Sequence, residues 1–157
     1  MYSCDNKYFV STNWLEQRLS DPNLRIIDAS WYLPNVKRSG LKEFENNHIP
    51  GANFFDLDKF SDIKSELPHM ALNEKDFSNK FEIFGIKQNQ NIIVYDGLGL
   101  FSSARLLWLL HLYGFDNVFI LDGGFPKWLS ENKPTNREVI NFKPHKINFS
   151  YIVAFKN

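Results

Sequence analysis

Two hydrophobic periods alternate along roughly the first 135 residues. Short runs of apolar and β-branched residues read as strands, and stretches with apolar positions three and four apart read as helices. The alternation predicts β-α units around a mostly parallel sheet, an α/β architecture. Ser11-Thr12-Asn13 supplies capping side chains for a helix through Trp14, Leu15, Arg18 and Leu19, stopped near Asp21-Pro22. Residues 24–28 read as a short buried strand, residues 40–47 as a helix closed by His48-Ile49-Pro50-Gly51, and residues 52–56 as a further strand. Residues 57–72 carry neither period and contain Pro68, so they form a long loop, which is uncommon without a functional reason. Residues 73–84 are an amphipathic helix capped by Asn73 and closed at Gly85.

The clearest unit follows. Asn91-Ile92-Ile93-Val94-Tyr95 has the composition of a central strand buried on both faces. It runs into Asp96-Gly97-Leu98-Gly99-Leu100-Phe101, after which Ser102 or Ser103 caps a helix containing Leu106, Leu107, Leu109, Leu110 and Tyr113, closed by Gly114. Residues 118–121 are the next strand, followed by Asp122-Gly123-Gly124 and a helix over 125–131 around Trp128. Ligands of such sheets bind where strands end and helices begin, so loop 96–101 is the default site. Beyond Lys133 the helical period is lost, Pro134 and Pro144 interrupt the chain, and an apolar cluster of Ile147, Phe149, Tyr151, Ile152, Val153 and Phe155 closes it. A terminus is usually polar and frayed, so this one is suited to pack on something.

Composition narrows the class. With 157 residues, 43% of them hydrophobic and 16% aromatic, the chain suits one domain with a full core, and global disorder is excluded. Lys and Arg number 18 against 18 Asp and Glu, and this neutrality argues against nucleic acid or an anionic membrane as partner. Cys4 is the one cysteine, so there is no internal disulfide and no CxxC pair for zinc. The start MYSCDNKYF has neither a basic nor an apolar leader region, and no apolar run approaches ~18 residues; a cytoplasmic protein without cofactor or metal is expected.

Several motifs together carry a family resemblance. His48-Ile49-Pro50-Gly51-Ala52 after a helix, with Leu121-Asp122-Gly123-Gly124-Phe125 and Trp128, resembles the rhodanese fold. Asp28-Ala29-Ser30-Trp31-Tyr32-Leu33-Pro34, Phe54-Phe55-Asp56 and Leu67-Pro68-His69-Met70 are similar to the N-terminal half of two-domain 3-mercaptopyruvate/thiosulfate sulfurtransferases. The resemblance implies a three-layer rhodanese-like domain over residues 9–134 and an extended tail, 135–157, leading towards a second domain. It also implies sulfur transfer. A cysteine thiolate takes the sulfane sulfur of mercaptopyruvate or thiosulfate, becomes a persulfide, and passes the sulfur to cyanide or a thiol. That cysteine opens the loop after the central strand, where amides and a helix N-terminus lower its pKa.

Here the sequence departs from the pattern. The residue after Tyr95 is Asp96, which cannot become a persulfide and whose charge competes with an anionic donor for the same amides. Residues 96–101 are therefore a degenerate active-site loop, and Cys4 lies outside every motif. In the resembling enzymes the N-terminal half is a non-catalytic copy that contributes an Asp and a His to a proton relay facing the cysteine loop. The matching positions are Asp58 and His69, both on loop 57–72. The implied partners are a second, cysteine-bearing rhodanese-like domain and a small anionic sulfur donor at the interface, and the chain alone is expected to be inactive.

The remaining candidates weigh less. His48 reads as structural, closing a helix C-terminus; His111 lies among leucines, and His145 in the tail. Gly97-Leu98-Gly99 is a weak match to a dinucleotide loop, with Asp116 or Asp122 as ribose partner, and a cysteine-dependent phosphatase lacks its cysteine. Arg105, a lone cation in a first helical turn, calls for a partner: Asp96, a group across a domain interface, or solvent. Trp14, Trp31, Trp108 and Trp128 read as core. The alternatives to a sulfurtransferase half are a stand-alone non-catalytic binding module and a nucleotide-binding Rossmann-type domain.

Overall fold

The computed structural model describes residues 7–147. Cys4 and the apolar cluster from Phe149 onwards lie outside them. Five strands form one sheet: β1 (Phe9–Val10), β2 (Leu24–Asp28), β3 (Ala52–Phe54), β4 (Asn91–Tyr95) and β5 (Val118–Leu121). Their order is β1-β5-β4-β2-β3 and every pairing is parallel. The helices are α1 (Thr12–Glu16), α2 (Gly40–Asn46), α3 (Glu74–Phe81), α4 (Ser102–Leu112) and α5 (Gly124–Ser130).

Side-chain alternation along the strands divides the core in two. Ile92 and Val94 of β4, with Ile27, Val118 and Ile120, meet Phe77 and Phe81 of α3 and Leu106, Leu109 and Leu110 of α4. Ile93 and Tyr95, with Leu24, Ile26 and Leu121, meet Leu15 of α1, Phe44 of α2 and Trp128 of α5. Helices thus cover both faces, giving three layers. Residues 92–95 are all 0% exposed, and each such side chain contributes about 1.5–3 kcal/mol by its burial.

Local signals explain most boundaries. Asn73 accepts from the Asp76 amide and starts α3. Gly85, at φ 58°, closes the 3-10 turn Glu82–Phe84 that follows it. Several details differ from the expectation: β3 ends at Phe54 rather than residue 56, and the helix expected to residue 84 ends at Phe81. β1 had no signal, since two residues show no period; it is held by pairing with Ile120 and Leu121. α1 ends at Glu16 instead of running to Leu19, because the chain there turns towards Asp21. Neither Ser102 nor Ser103 occupies the cap of α4, where Phe101 stands, whose own side chain makes no capping bond.

After α5 the chain runs extended over the domain. Asn136 and His48 exchange backbone hydrogen bonds of 2.9 and 2.8 Å. His48 is fully buried, stacked on Phe44, with Nδ1 at 2.7 Å from the Phe44 carbonyl and Nε2 at 3.0 Å from the Glu138 carbonyl. Its structural role is therefore larger than closing α2, because it also ties down the strap. The Asn53 amide donates to the Ile140 carbonyl, and Ile147 is buried against the α3–α4 face with its carbonyl accepting from Ser78. Among the described residues no helix is long and apolar enough to cross a membrane.

Candidate functional site

The C-terminal ends of β2, β3 and β4 lead into the loops that carry Trp31, the Asp58–His69 pair and Asp96. Loop 96–101 curls around a carboxylate. Asp96 is 1% exposed, and its Oδ1 accepts from the amides of Leu98 and Gly99 at 2.8 and 2.9 Å. Its Oδ2 accepts from the amides of Phe101 and Ser103 at 2.7 and 2.9 Å, and from the Ser103 hydroxyl at 2.6 Å. Gly99, at φ 104°, gives the backbone the curl that turns these amides inward. The first turn of α4 is therefore capped by a side chain six residues upstream of it, and Asp96 itself fills the anion cradle. Burial alone would raise the pKa of this carboxyl; the Ser103 hydroxyl and the amides outweigh burial and hold it below the usual range.

A second carboxyl lies close beneath. Asp28, 4% exposed at the end of β2, accepts from the Ser30 amide at 2.8 Å and hydroxyl at 2.5 Å. Burial pushes its pKa up to about 6, against hydrogen bonds from Ser30 and Tyr95 that pull it down, while the nearby Asp96 charge adds to the rise.

Asp58 and His69 come together across the long loop, with His69 Nε2 at 2.7 Å from Asp58 Oδ1. Asp58 keeps 66% of its side chain exposed and His69 28%, so the pair faces outward. Trp31 joins the pair to loop 96–101. Its indole N–H donates to both Asp58 oxygens at 3.1 and 3.3 Å, its ring meets the His69 ring edge-on at 4.8 Å, and the Phe101 ring stacks with it at 6.3 Å. Around them Leu67, Met70, Leu98, Leu100 and Phe101 are exposed apolar residues. A polar cleft of about 220 Å³ opens beside Asp58, lined by Ser30, Arg38, Ser39 and Asp56 among others. A larger, mostly apolar cavity of about 510 Å³ lies away from the pair, beneath residues 139–144.

Residues 11–131 match the profile of the rhodanese-like domain family, most of the chain. The chain belongs to the rhodanese-like family. It is 41% identical over 136 residues to a thiosulfate/3-mercaptopyruvate sulfurtransferase of Arabidopsis thaliana, covering 87% of this chain and 40% of that protein. It is 40% identical over 131 residues to the 3-mercaptopyruvate sulfurtransferase of Rattus norvegicus, covering 80% of this chain and 44% of that one. Its fold superposes on the crystal structure of SseA from Escherichia coli, a 3-mercaptopyruvate sulfotransferase, with a TM-score of 0.86 at 34% identity, over 92% of this chain and 55% of that one. The chain thus spans about 40% of the length of the curated relatives it matches.

As a rhodanese-like domain, the chain carries a carboxylate where its central strand opens into the loop, and the amides that carboxylate binds are closed to a phosphate. That removes the physical basis of a dinucleotide site at Gly97-Leu98-Gly99. Three aromatic and cationic side chains take roles the sequence reading missed. Trp31 is half-buried against the core, as expected, but it is also hydrogen-bonded to Asp58. Trp108 is 41% exposed and carries the Arg105 guanidinium on its face at 4.5 Å. Arg105 finds neither Asp96 nor solvent as its main partner: Nη2 donates to the His69 carbonyl at 2.6 Å, and burial lowers its pKa. Among the described residues no group of three or more His, Cys, Asp or Glu side chains converges as a metal site.

Proposed function

We propose that this chain is the nucleophile-free half of a sulfurtransferase. It packs against a second, cysteine-bearing rhodanese-like domain and presents the Asp58–His69 pair to that domain's cysteine. The observation that carries the reading is the 2.7 Å contact between His69 Nε2 and Asp58 Oδ1 on an outward face rimmed by exposed Leu67, Met70, Leu98, Leu100 and Phe101. A carboxylate-oriented imidazole is a proton carrier suited to neutral pH, and an apolar rim of this kind suits a partner domain.

The sulfur chemistry defines what the pair does. With 3-mercaptopyruvate, the partner's thiolate attacks the donor sulfur, the C–S bond breaks, and the pyruvate enolate that leaves must gain a proton. His69 takes the proton of the donor thiol and returns it to the enolate carbon, while Asp58 holds the ring and offsets its charge. With thiosulfate the S–S bond breaks and sulfite leaves as an anion, so no proton is needed. Asp96 keeps this half from forming a persulfide of its own, because a carboxylate occupies the cradle.

The test replaces the matching 136-residue stretch of the Arabidopsis thaliana enzyme with that of this chain, and follows pyruvate from mercaptopyruvate and thiocyanate from thiosulfate with cyanide. The chimera is expected to turn over and the chain alone is not. His69→Asn and Asp58→Asn should each lower the mercaptopyruvate rate about 100-fold, the size of a lost acid–base step, and the thiosulfate rate far less. Activity of the chain alone that survives Cys4→Ser, or a chimera indifferent to both substitutions, sinks the reading.

A further inference from the structure

We propose that the first turns of α4, capped by Asp96, are the positioning scaffold of the Asp58–His69 pair, with Trp31 and Arg105 as its two arms. The proposal rests on the pair being the proton relay described above, and it gives the nucleophile-free loop a use of its own.

One arm reaches Asp58. The Ser102 hydroxyl, in the first turn of α4, accepts from the Trp31 amide at 3.1 Å, and Phe101 lies stacked against the indole. With its backbone held there, Trp31 spans the gap to loop 57–72 and spends its indole N–H on the Asp58 carboxylate. The same ring packs edge-on against the His69 imidazole, so one side chain sets the place of both members. An N–H donor on a carboxylate that also accepts from a histidine leaves few orientations open to it.

The other arm reaches His69. Arg105 stands one turn after Ser102, and its Nη2 donates to the His69 carbonyl. His69 holds φ at 54°, a left-handed conformation that a residue with a β-carbon keeps only where its surroundings over-determine it. At the next residue the Asp62 amide donates to the Met70 carbonyl at 2.8 Å. Arg105 is committed to this contact at some cost: its Nε is buried with no hydrogen-bond partner among the described residues, and its charge stands in a first turn, where the helix dipole disfavours it. An arginine serving only as a solvated surface charge would not have its Nε buried without a partner.

Both arms start from residues 101–105, whose backbone is organised by the Asp96 carboxylate through Phe101 and Ser103. The chain of contacts runs from Asp96 to the first turn of α4, then through Trp31 and Arg105 to Asp58 and His69. Trp31 and Arg105 are positioning residues, and neither needs to touch the substrate.

The experiment is a double-mutant cycle read at the imidazole. In the isotope-labelled chain, the His69 ring signals are identified by their loss in His69→Asn, and the shift of those signals caused by Asp58→Asn reports the contact between the two side chains. That shift should shrink at least about twofold in Trp31→Phe, which keeps the ring and removes the N–H, and in Arg105→Ala. Arg105→Lys, which keeps a donor for the His69 carbonyl, should recover most of it, and the His145 signals should not move. Trp31→Phe carries the test alone if Arg105→Ala does not fold. In the chimera the same two variants should lower kcat about 10–100-fold with KM unchanged, as expected of a displaced acid–base group. An undiminished shift in both variants overturns the proposal whatever the chimera does. A shift that collapses as expected, in a chimera indifferent to His69→Asn, supports the positioning and overturns the relay.

Discussion

Asp96→Asn replaces one carboxylate oxygen by an NH₂ group and removes the charge, at a residue that is 1% exposed. In the native loop one oxygen takes two amides, from Leu98 and Gly99, and the other takes those of Phe101 and Ser103 with the Ser103 hydroxyl. Either orientation of the asparagine amide therefore sets its NH₂ against two backbone N–H groups. The hydroxyl can rotate to accept, but the amides cannot. Two orphaned buried donors at about 1–3 kcal/mol each give a destabilisation of about 2–6 kcal/mol. In a domain of this size that is a fall in Tm of roughly 5–20 °C. Urea and thermal unfolding followed by far-UV circular dichroism at neutral pH measure it. Asp96→Ala empties the cradle instead and leaves its amides to an external anion. Thiosulfate or phosphate at ten times its dissociation constant should restore about 1.4 kcal/mol to that variant and little to the native chain. The reasoning fails if Asp96→Asn unfolds within about 0.5 kcal/mol of the native protein, the range of an unremarkable surface change, or if anions stabilise the native chain as much as Asp96→Ala.

Two further predictions concern groups beneath and beside the site. Asp28 has a folded pKa of about 6, above its unfolded value, so its contribution to stability is fully present below about pH 4 and is lost as pH rises through 6. Native stability should therefore gain up to about 3 kcal/mol from this group between pH 7 and pH 4. Asp28→Asn should be the more stable protein at neutral pH and lack that gain; urea melts across the range decide it, and equal slopes in both proteins refute it. Asp96, with its lowered pKa, acts in the opposite direction: its contribution is present above the ordinary carboxylate range and is lost as pH falls below it. His48→Ala removes a fully buried ring and its contacts to the Phe44 and Glu138 carbonyls, which should cost about 2–4 kcal/mol. It should also free the strap, so that limited proteolysis cuts between residues 136 and 147 before the rest of the domain; cleavage at the native rate would show that His48 does not hold it.

The elements that were legible in the sequence are those whose stability is local and periodic. β2 and β4 match their expected ranges because runs of apolar residues needed on both faces of a central strand leave no other reading. β1 was not legible, since two residues show no period and its pairing partner is more than a hundred positions away. The same distinction separates the parts of the site. Capping rules look for a side chain next to the helix, and Ser102 and Ser103 are the right residue types; the cap came from Asp96, reached through the curl at Gly99. A carboxylate directly after the central strand, followed by Gly-x-Gly and a helix, is the signal that could have found it. The spacing of Asp58 and His69 carried no information, because loop 57–72 has no period, and only the family resemblance pointed to them.

Arg105 shows how far local physics reaches. A lone cation in the first turn of a helix is unfavourable, which required a partner without naming one, and the partner proved to be a backbone carbonyl, a group every residue has. Trp31 gave less warning still, since its indole N–H looks the same in sequence whether it is buried in a core or bound to a carboxylate. What joins residues 31, 58, 69, 96 and 105 is closure between loops at the ends of neighbouring strands. That closure exists only once β3, β2 and β4 lie side by side, with Asp28 paired to Phe54 on one side and to Tyr95 on the other. The hydrophobic pattern that sets the sheet thus determines which loops can meet, and the Asp96 carboxylate then determines how rigidly they do. A loop without a nucleophile can on these grounds be kept under constraint as tight as a catalytic one, because losing its carboxylate would loosen α4 and, through Arg105 and Trp31, the histidine it supports.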